Sequence, residues 1–121
     1  MIPIYSSDVP TPGGHYNQGV AAHHFVFISG QLPTGAPVET PLEEQVKIAL
    51  SRVLAIAEAG GSSKEKIVKT TVYIADVNDW PAVNAAYAAF FGPENKPARS
   101  IVPVPGLHYG YKVEIEAIAA I

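Results

Sequence analysis

Two side chains near the C-terminus combine type and setting in a way that could do chemistry. Arg99, one of only two arginines, lies in KPARSIVPVPG (96–106), an apolar and proline-studded stretch. Glu114 lies in KVEIEAIAAI (112–121), where strand alternation puts Val113, Ile115, Ala117 and Ala119 on one face and Glu114, Glu116, Ile118 and Ala120 on the other. A guanidinium is a planar fork that meets a carboxylate with two parallel hydrogen bonds. A glutamate lining an apolar cleft loses solvation, its pKa rises, and it can handle protons near neutral pH. Together the two suit a small carboxylic acid, one group holding the substrate and the other managing water or protons. A plainer arrangement fits the same residues: an arginine paired with a carboxylate of its own chain, and glutamates solvated on an exposed strand. The residue pattern leaves both open.

Other chemistries find little support. His23 and His24 are adjacent, so in a strand they point to opposite faces and cannot chelate one metal together. His15 and His108 fall in turn-rich segments and read as ordinary loop residues. No HExxH spacing, GxSxG elbow or GxxxxGK[ST] loop occurs, and there is no cysteine to act as thiol nucleophile or zinc ligand. The expectation is a site without metal or cofactor.

The elements that must position Arg99 and Glu114 are legible from hydrophobic period. HFVFISGQL (24–32) reads as a strand after the turn-rich SSDVPTPGGHYNQGV (6–20). From Pro41 to Ala59 the apolar residues Leu42, Val46, Ala49, Leu50, Val53, Leu54 and Ala57 recur at helical steps. Thr40 fits an N-cap, and Gly60 with Gly61 fits a left-handed stop. KIVKTTVYIAD (66–76) alternates as a strand with Val68, Thr70, Val72 and Ile74 on one face. A second helix is expected over 80–91, capped by Asn78 or Asp79, with Val83, Tyr87, Phe90 and Phe91 inward. Strands 99–104 and 112–120 close the chain. Helices separated by strands predict an α+β sheet with both helices on one face. The other face, which includes Ile118 and Ala120, then needs a second subunit to cover it.

At 121 residues the chain fits one domain, 1–121, and 48% hydrophobic content with 16% charged residues excludes disorder. The net charge of −3 comes with scattered lysines and arginines rather than a basic face, which disfavours nucleic-acid partners. No apolar run approaches the roughly 20 residues of a membrane span, and MIPIYSSDVP has no signal-peptide pattern, so a cytoplasmic location is expected.

Several segments, in order along nearly the whole chain, resemble the RidA (YjgF) family of reactive intermediate deaminases. They are HYNQGV (15–20), FISGQLP (27–33), IVKTTVYIADVNDWPAVNAAYAAFF (67–91) and PARSIVPVPGLHYGYKVEIEAIA (97–119), with the Gly-Gly stop after the first helix. The resemblance implies a chorismate-mutase-like α+β fold, a homotrimer with sheets inward as a barrel, and clefts between subunits. It implies hydrolysis of 2-imino acids to 2-keto acids and ammonia without cofactor or metal. Arg99 matches the arginine that grips the substrate carboxylate, and Glu114 the glutamate that orients the attacking water. Tyr16 matches a tyrosine at the cleft mouth, and Ser29 and Gly30 a segment supplying a hydroxyl and a backbone N–H. Asn84 matches a helix residue bordering the cleft, and the Ile101 backbone would contact the imine. Ile101, where many relatives carry cysteine, Pro103 and the aromatic 105–111 segment depart from the family pattern. They leave room for a pathway-specific deaminase of an aminoacrylate- or aminomuconate-like compound. A non-catalytic small-ligand or RNA-related binding protein is the remaining alternative.

Overall fold

Six strands and two helices account for the chain, in a computed structural model that describes all 121 residues. In order they are β1 (Ile2–Ile4), β2 (Gly19–Ala22), β3 (Phe25–Gln31), α1 (Leu42–Ala59), β4 (Ile67–Ile74), α2 (Trp80–Phe91), β5 (Ala98–Pro103) and β6 (Val113–Ala120). The strands form one sheet in the order β1-β2-β3-β6-β4-β5. All neighbours are antiparallel except β4 and β5, whose parallel pairing requires a crossover that α2 supplies. This is the expected α+β arrangement, with two strands more than the residue pattern showed.

The first of these, β1, is short, and β2 follows a turn-rich run, so neither has a long alternating signature. Between β2 and β3 the two-residue connection is His23–His24, with φ of 50° and 69°. Positive φ at both central positions is the type I′ geometry that matches strand twist. The two histidines therefore form a hairpin turn instead of lying in a strand. Histidine tolerates the left-handed region better than most residues, but it is not the Asn-Gly that announces such a turn.

Both helices pack on one sheet face. From α1, Val46, Ala49, Leu50, Val53, Ile56 and Ala57 are fully buried, while Leu54 is only half-buried. Gln45 is also fully buried: its Nε2 donates to the carbonyls of Val38 and Thr40, and its Oε1 accepts from the Lys112 N–H at 3.0 Å. Pro41, not Thr40, is the N-cap, because the Thr40 hydroxyl donates back to the Pro37 carbonyl. At the other end the Gly61 N–H reaches the Glu58 carbonyl and the Ser62 N–H the Ala57 carbonyl, a Schellman closure with Gly61 at φ 89°. Before α2, the capping carboxylate is that of Asp76, which accepts from the Asn78 N–H; Asp79 makes no side-chain cap bond.

The inner face of the sheet is Val26, Ile28, Thr70, Val72, Ile74, Val113, Ile115, Ala117 and Ala119, all buried. Val68 was expected on this face, yet it is 42% exposed. Pairing steps from Ile67–Ala119 to Lys69–Ile118, so one extra residue on β4 bulges and the alternation restarts. The outer face carries Phe25, Phe27 and Ile118, and no element of the chain covers it.

One polar pair crosses the buried layer: the Thr70 hydroxyl and the Tyr87 hydroxyl are 2.7 Å apart, joining β4 to α2. Thr70→Val leaves the tyrosine hydroxyl unsatisfied and is expected to destabilise by about 1–3 kcal/mol. The double variant Thr70→Val/Tyr87→Phe should lose less than the sum of the two single changes in thermal unfolding. Strict additivity would show that the bond contributes nothing.

Candidate active site

Glu114 projects from β6 onto the helix-free face, next to an irregularity in β3. Pairing runs regularly to Ile28–Ala117 and resumes at Gln31–Ile115, leaving Ser29 and Gly30 in a bulge. Bulges re-aim the groups around them. A Cβ on Gly30 would stand 2.8 Å from the Glu114 Oε2, so the glutamate occupies the space that any other residue would fill. Its carboxyl is held above the ordinary carboxylate range, first by desolvation and second by the charge of Glu116; His108 pulls the other way.

Around this carboxylate lies an open pocket of about 870 Å³. Pro10, Tyr16, Ser29, Gly30, Tyr109 and Glu114 are among its walls, and no lysine or arginine is. One wall has no regular structure and is held by a buried side chain. Gln18 Oε1 accepts from the Ser6 N–H at 2.7 Å, and its Nε2 donates to the Ser6, Val9 and Pro10 carbonyls, each at 3.2 Å. Ser29 locks the same segment: its hydroxyl donates to the Asn17 carbonyl at 2.6 Å and its N–H to the Gln18 carbonyl at 2.9 Å. The Ser29 hydroxyl thus has its proton engaged and only lone pairs to offer. On the far side Arg52 donates to the carbonyls of Leu32 and Thr34, and the Tyr111 hydroxyl to the Ala36 carbonyl. His108, expected as an ordinary loop residue, lines this pocket, and His15 lines the neighbouring depression on the same face.

Arg99 sits elsewhere. It pairs with Thr70 across β4–β5, and its guanidinium lies over the rings of Tyr87 (4.7 Å) and Trp80 (5.6 Å). It therefore rests on the helix side of the sheet edge, against aromatic rings rather than a carboxylate. Asn84 falls between Trp80 and Tyr87 at helical spacing on α2, so it shares their face. Ile101, two residues along β5, is half-buried against the core. Register puts Arg99 level with Ala117 and two strands away, whereas Glu114 is three residues further along. Strand spacing and rise make that about 14 Å between Cα positions. Tyr16, Ser29, Gly30 and Glu114 therefore form one group, and Arg99, Asn84 and Ile101 another on the opposite face. No three His, Asp or Glu side chains converge as a metal-ligand set.

The shelf of Trp80 and Tyr87 and the Gln18 anchor were not singled out from the residue pattern. The shelf was detectable, since residues 80, 84 and 87 recur at helical steps and Arg99 lies at the start of the strand that follows. Gln18 was not, because its partners are backbone groups of an irregular segment.

Two outcomes follow from this geometry. Gly30→Ala is expected to displace the Glu114 carboxylate and alter its titration, observable by NMR; an unmoved glutamate would show that the bulge has slack. Because folding raises the Glu114 pKa, the folded chain binds the proton more tightly, and ionisation at neutral pH destabilises the fold. Glu114→Gln should raise Tm at pH 7, with the gain vanishing near pH 3, where both folded and unfolded carboxyls are protonated. A gain unchanged at pH 3 would assign it to something other than the charge.

Residues 6–121 match the family described as Endoribonuclease L-PSP. The chain is 45% identical over 122 residues to the 2-iminobutanoate/2-iminopropanoate deaminase of Salmonella typhimurium, covering 96% of this chain and 94% of that protein. It is 42% identical over 120 residues to a RutC family protein of Pyrococcus horikoshii, with the same coverage of 96% and 94%. Among solved structures, the YjgF gene product of E. coli superposes with a TM-score of 0.92 at 41% identity, covering 99% of this chain and 98% of that one. E. coli TdcF with bound serine gives 0.92 at 38% identity, with coverage of 100% and 99%. Sequence match, fold and near-complete coverage agree: the chain belongs to the Endoribonuclease L-PSP family, the RidA/YjgF family.

Proposed function

We propose that this protein hydrolyses small 2-imino acids to 2-keto acids and ammonia, in a cleft that two copies of the chain build together in a homotrimer. The observation that carries the reading is the division of the site. A desolvated carboxylate lies in a pocket without lysine or arginine, and a guanidinium is held on an aromatic shelf away from any carboxylate. Neither half is complete, and the apolar face beside Glu114 is bare. A second copy would cover that face and bring its Arg99 to the Glu114 pocket. Relatives at 42–45% identity that carry the name 2-iminobutanoate/2-iminopropanoate deaminase support the reaction class.

The chemistry follows from the two groups. Arg99 takes the substrate carboxylate bidentately and fixes C2, so that attack by water becomes an oriented step. Glu114 accepts a hydrogen bond from that water and takes its proton as oxygen adds to the C=N carbon. With the imine entering N-protonated, the resulting carboxylic acid gives its proton to the carbinolamine nitrogen. The carboxylate then takes the hydroxyl proton as the C=O bond forms and the C–N bond breaks, and ammonia leaves. A carboxyl with a raised pKa suits both directions of transfer. Tyr16 stands at the mouth, the Ser29 oxygen and Gly30 N–H face the reacting nitrogen and oxygen, and Asn84 and the Ile101 backbone border the Arg99 half. The dispersed basic residues favour a small anion over RNA as the ligand.

The test is turnover of 2-iminobutanoate generated in situ. Arg99→Ala should lose about 10²-fold or more in kcat/KM while the assembly stays intact. Co-refolding Arg99→Ala with Glu114→Gln in equal amounts should restore about one quarter of wild-type activity, since random assembly leaves that share of clefts with both groups. Wild-type turnover at the buffer rate, for this imine and for bulkier 2-imino acids alike, would end the deaminase reading, and zero recovery on mixing would end the shared cleft.

A further inference from the structure

We propose that His108 and Tyr109 form a stacking plate for the substrate's side chain, so that the preferred imino acids carry an aromatic substituent. This rests on the imine-hydrolysing reading above and names the substrate class for the same site. The two rings lie parallel, with centroids 3.6 Å apart and 11° between planes. Tyr111 meets Tyr109 edge-on at 6.5 Å and 79°, and the Tyr111 hydroxyl is tied to the Ala36 carbonyl. Tyr111 thus braces the stack, while Tyr109 remains 66% exposed.

The backbone adds a second observation. Tyr109 has φ of 64°, in the left-handed region that a bulky residue seldom occupies. Gly110 beside it is also left-handed, so the segment turns sharply to hold the tyrosine ring where it is. Strain of this kind persists where surroundings enforce it and clusters at ligand clamps.

Shape and charge then select the ligand. The plate and Glu114 line one pocket of a single chain, about 870 Å³ before a second copy closes it. With C2 of the imino acid at Glu114, its substituent extends toward the plate, and Pro10, Pro12 and Tyr16 line the same pocket. A second carboxylate on the substrate would meet Glu114 with no lysine or arginine among the lining residues. That disfavours dicarboxylic compounds of the aminomuconate type.

The experiment compares imines generated in situ by an amino-acid oxidase from phenylalanine and from 2-aminobutanoate. Calorimetry of phenylpyruvate and 2-oxobutanoate provides a parallel binding readout. Wild type should favour the aromatic imine by at least about tenfold in kcat/KM. Tyr109→Asn, which removes the ring but tolerates the left-handed backbone, should cut the aromatic-to-aliphatic ratio by about fivefold or more. Tyr109→Phe should keep it, and binding should follow the same order. An unchanged ratio in Tyr109→Asn, an aliphatic preference in wild type, or a variant whose only effect is a changed oligomeric state overturns the plate. If neither imine is hydrolysed above the buffer rate, the deaminase reading fails. The binding arm still decides: selective phenylpyruvate binding lost in Tyr109→Asn upholds the plate, and equal binding overturns it.

Discussion

Strand β6 pairs along both edges, with β3 on one side and β4 on the other, so its register cannot slip without breaking two ladders. Its alternation then leaves no freedom. Val113, Ile115, Ala117 and Ala119 face the helices and are buried, and each larger apolar side chain among them contributes about 1.5–3 kcal/mol by leaving water. Glu114 and Glu116 are thereby turned to the other face. A slip of one residue would drive both carboxylates into the core, where unpaired charge costs far more than any packing gain. The core and the candidate site of this protein are two sides of one strand.

The two interruptions of the β6 ladders shape what surrounds the glutamate. At Val68 an extra residue restarts the alternation of β4, keeping Thr70, Val72 and Ile74 inward. At Ser29–Gly30 the bulge opens the volume that the Glu114 carboxylate occupies. The glutamate is desolvated without being buried in the core, which raises its pKa while leaving it reachable from solvent. Arg99 is treated oppositely. Aromatic faces hold it at the sheet edge by cation–π attraction, about 0.5–2 kcal/mol, which orients the guanidinium without neutralising it. Its hydrogen-bonding fork makes no ion pair with a carboxylate of its own chain.

Legibility in the sequence followed the strength of local period. Helix α1, helix α2 and strands β3 to β6 announce themselves through sustained spacing, and their observed bounds lie within about two residues of those expected, the usual uncertainty of element ends. The misses share a physical cause. Strands β1 and β2 are too short to alternate, and the His23–His24 turn depends on two positive φ values that those side chains only tolerate. The bulge at Val68 shifts a face without any mark in composition. The Thr40 cap failed because a closer carbonyl, that of Pro37, took the hydroxyl. His108 looked like a loop residue because its stack on Tyr109 and its place beside Glu114 join segments that no periodicity connects.

By itself the sequence determined the α+β class, the two helices on one face, the alternation that exposes Glu114, and the family resemblance carried by residues 97–119. These are consequences of short-range pattern, in which one residue's environment follows from its neighbours a few positions away. Only the tertiary structure decided that Arg99 and Glu114 stand on opposite faces about 14 Å apart, and that Gly30 makes room for the carboxylate. It also decided that the proline-rich N-terminal segment and the 108–111 turn wall the same pocket. Those relations depend on strand order, crossover and bulge, which bring together residues as far apart as 10 and 109. Pairing across such distances is set by how the whole core packs, and no local spacing records it.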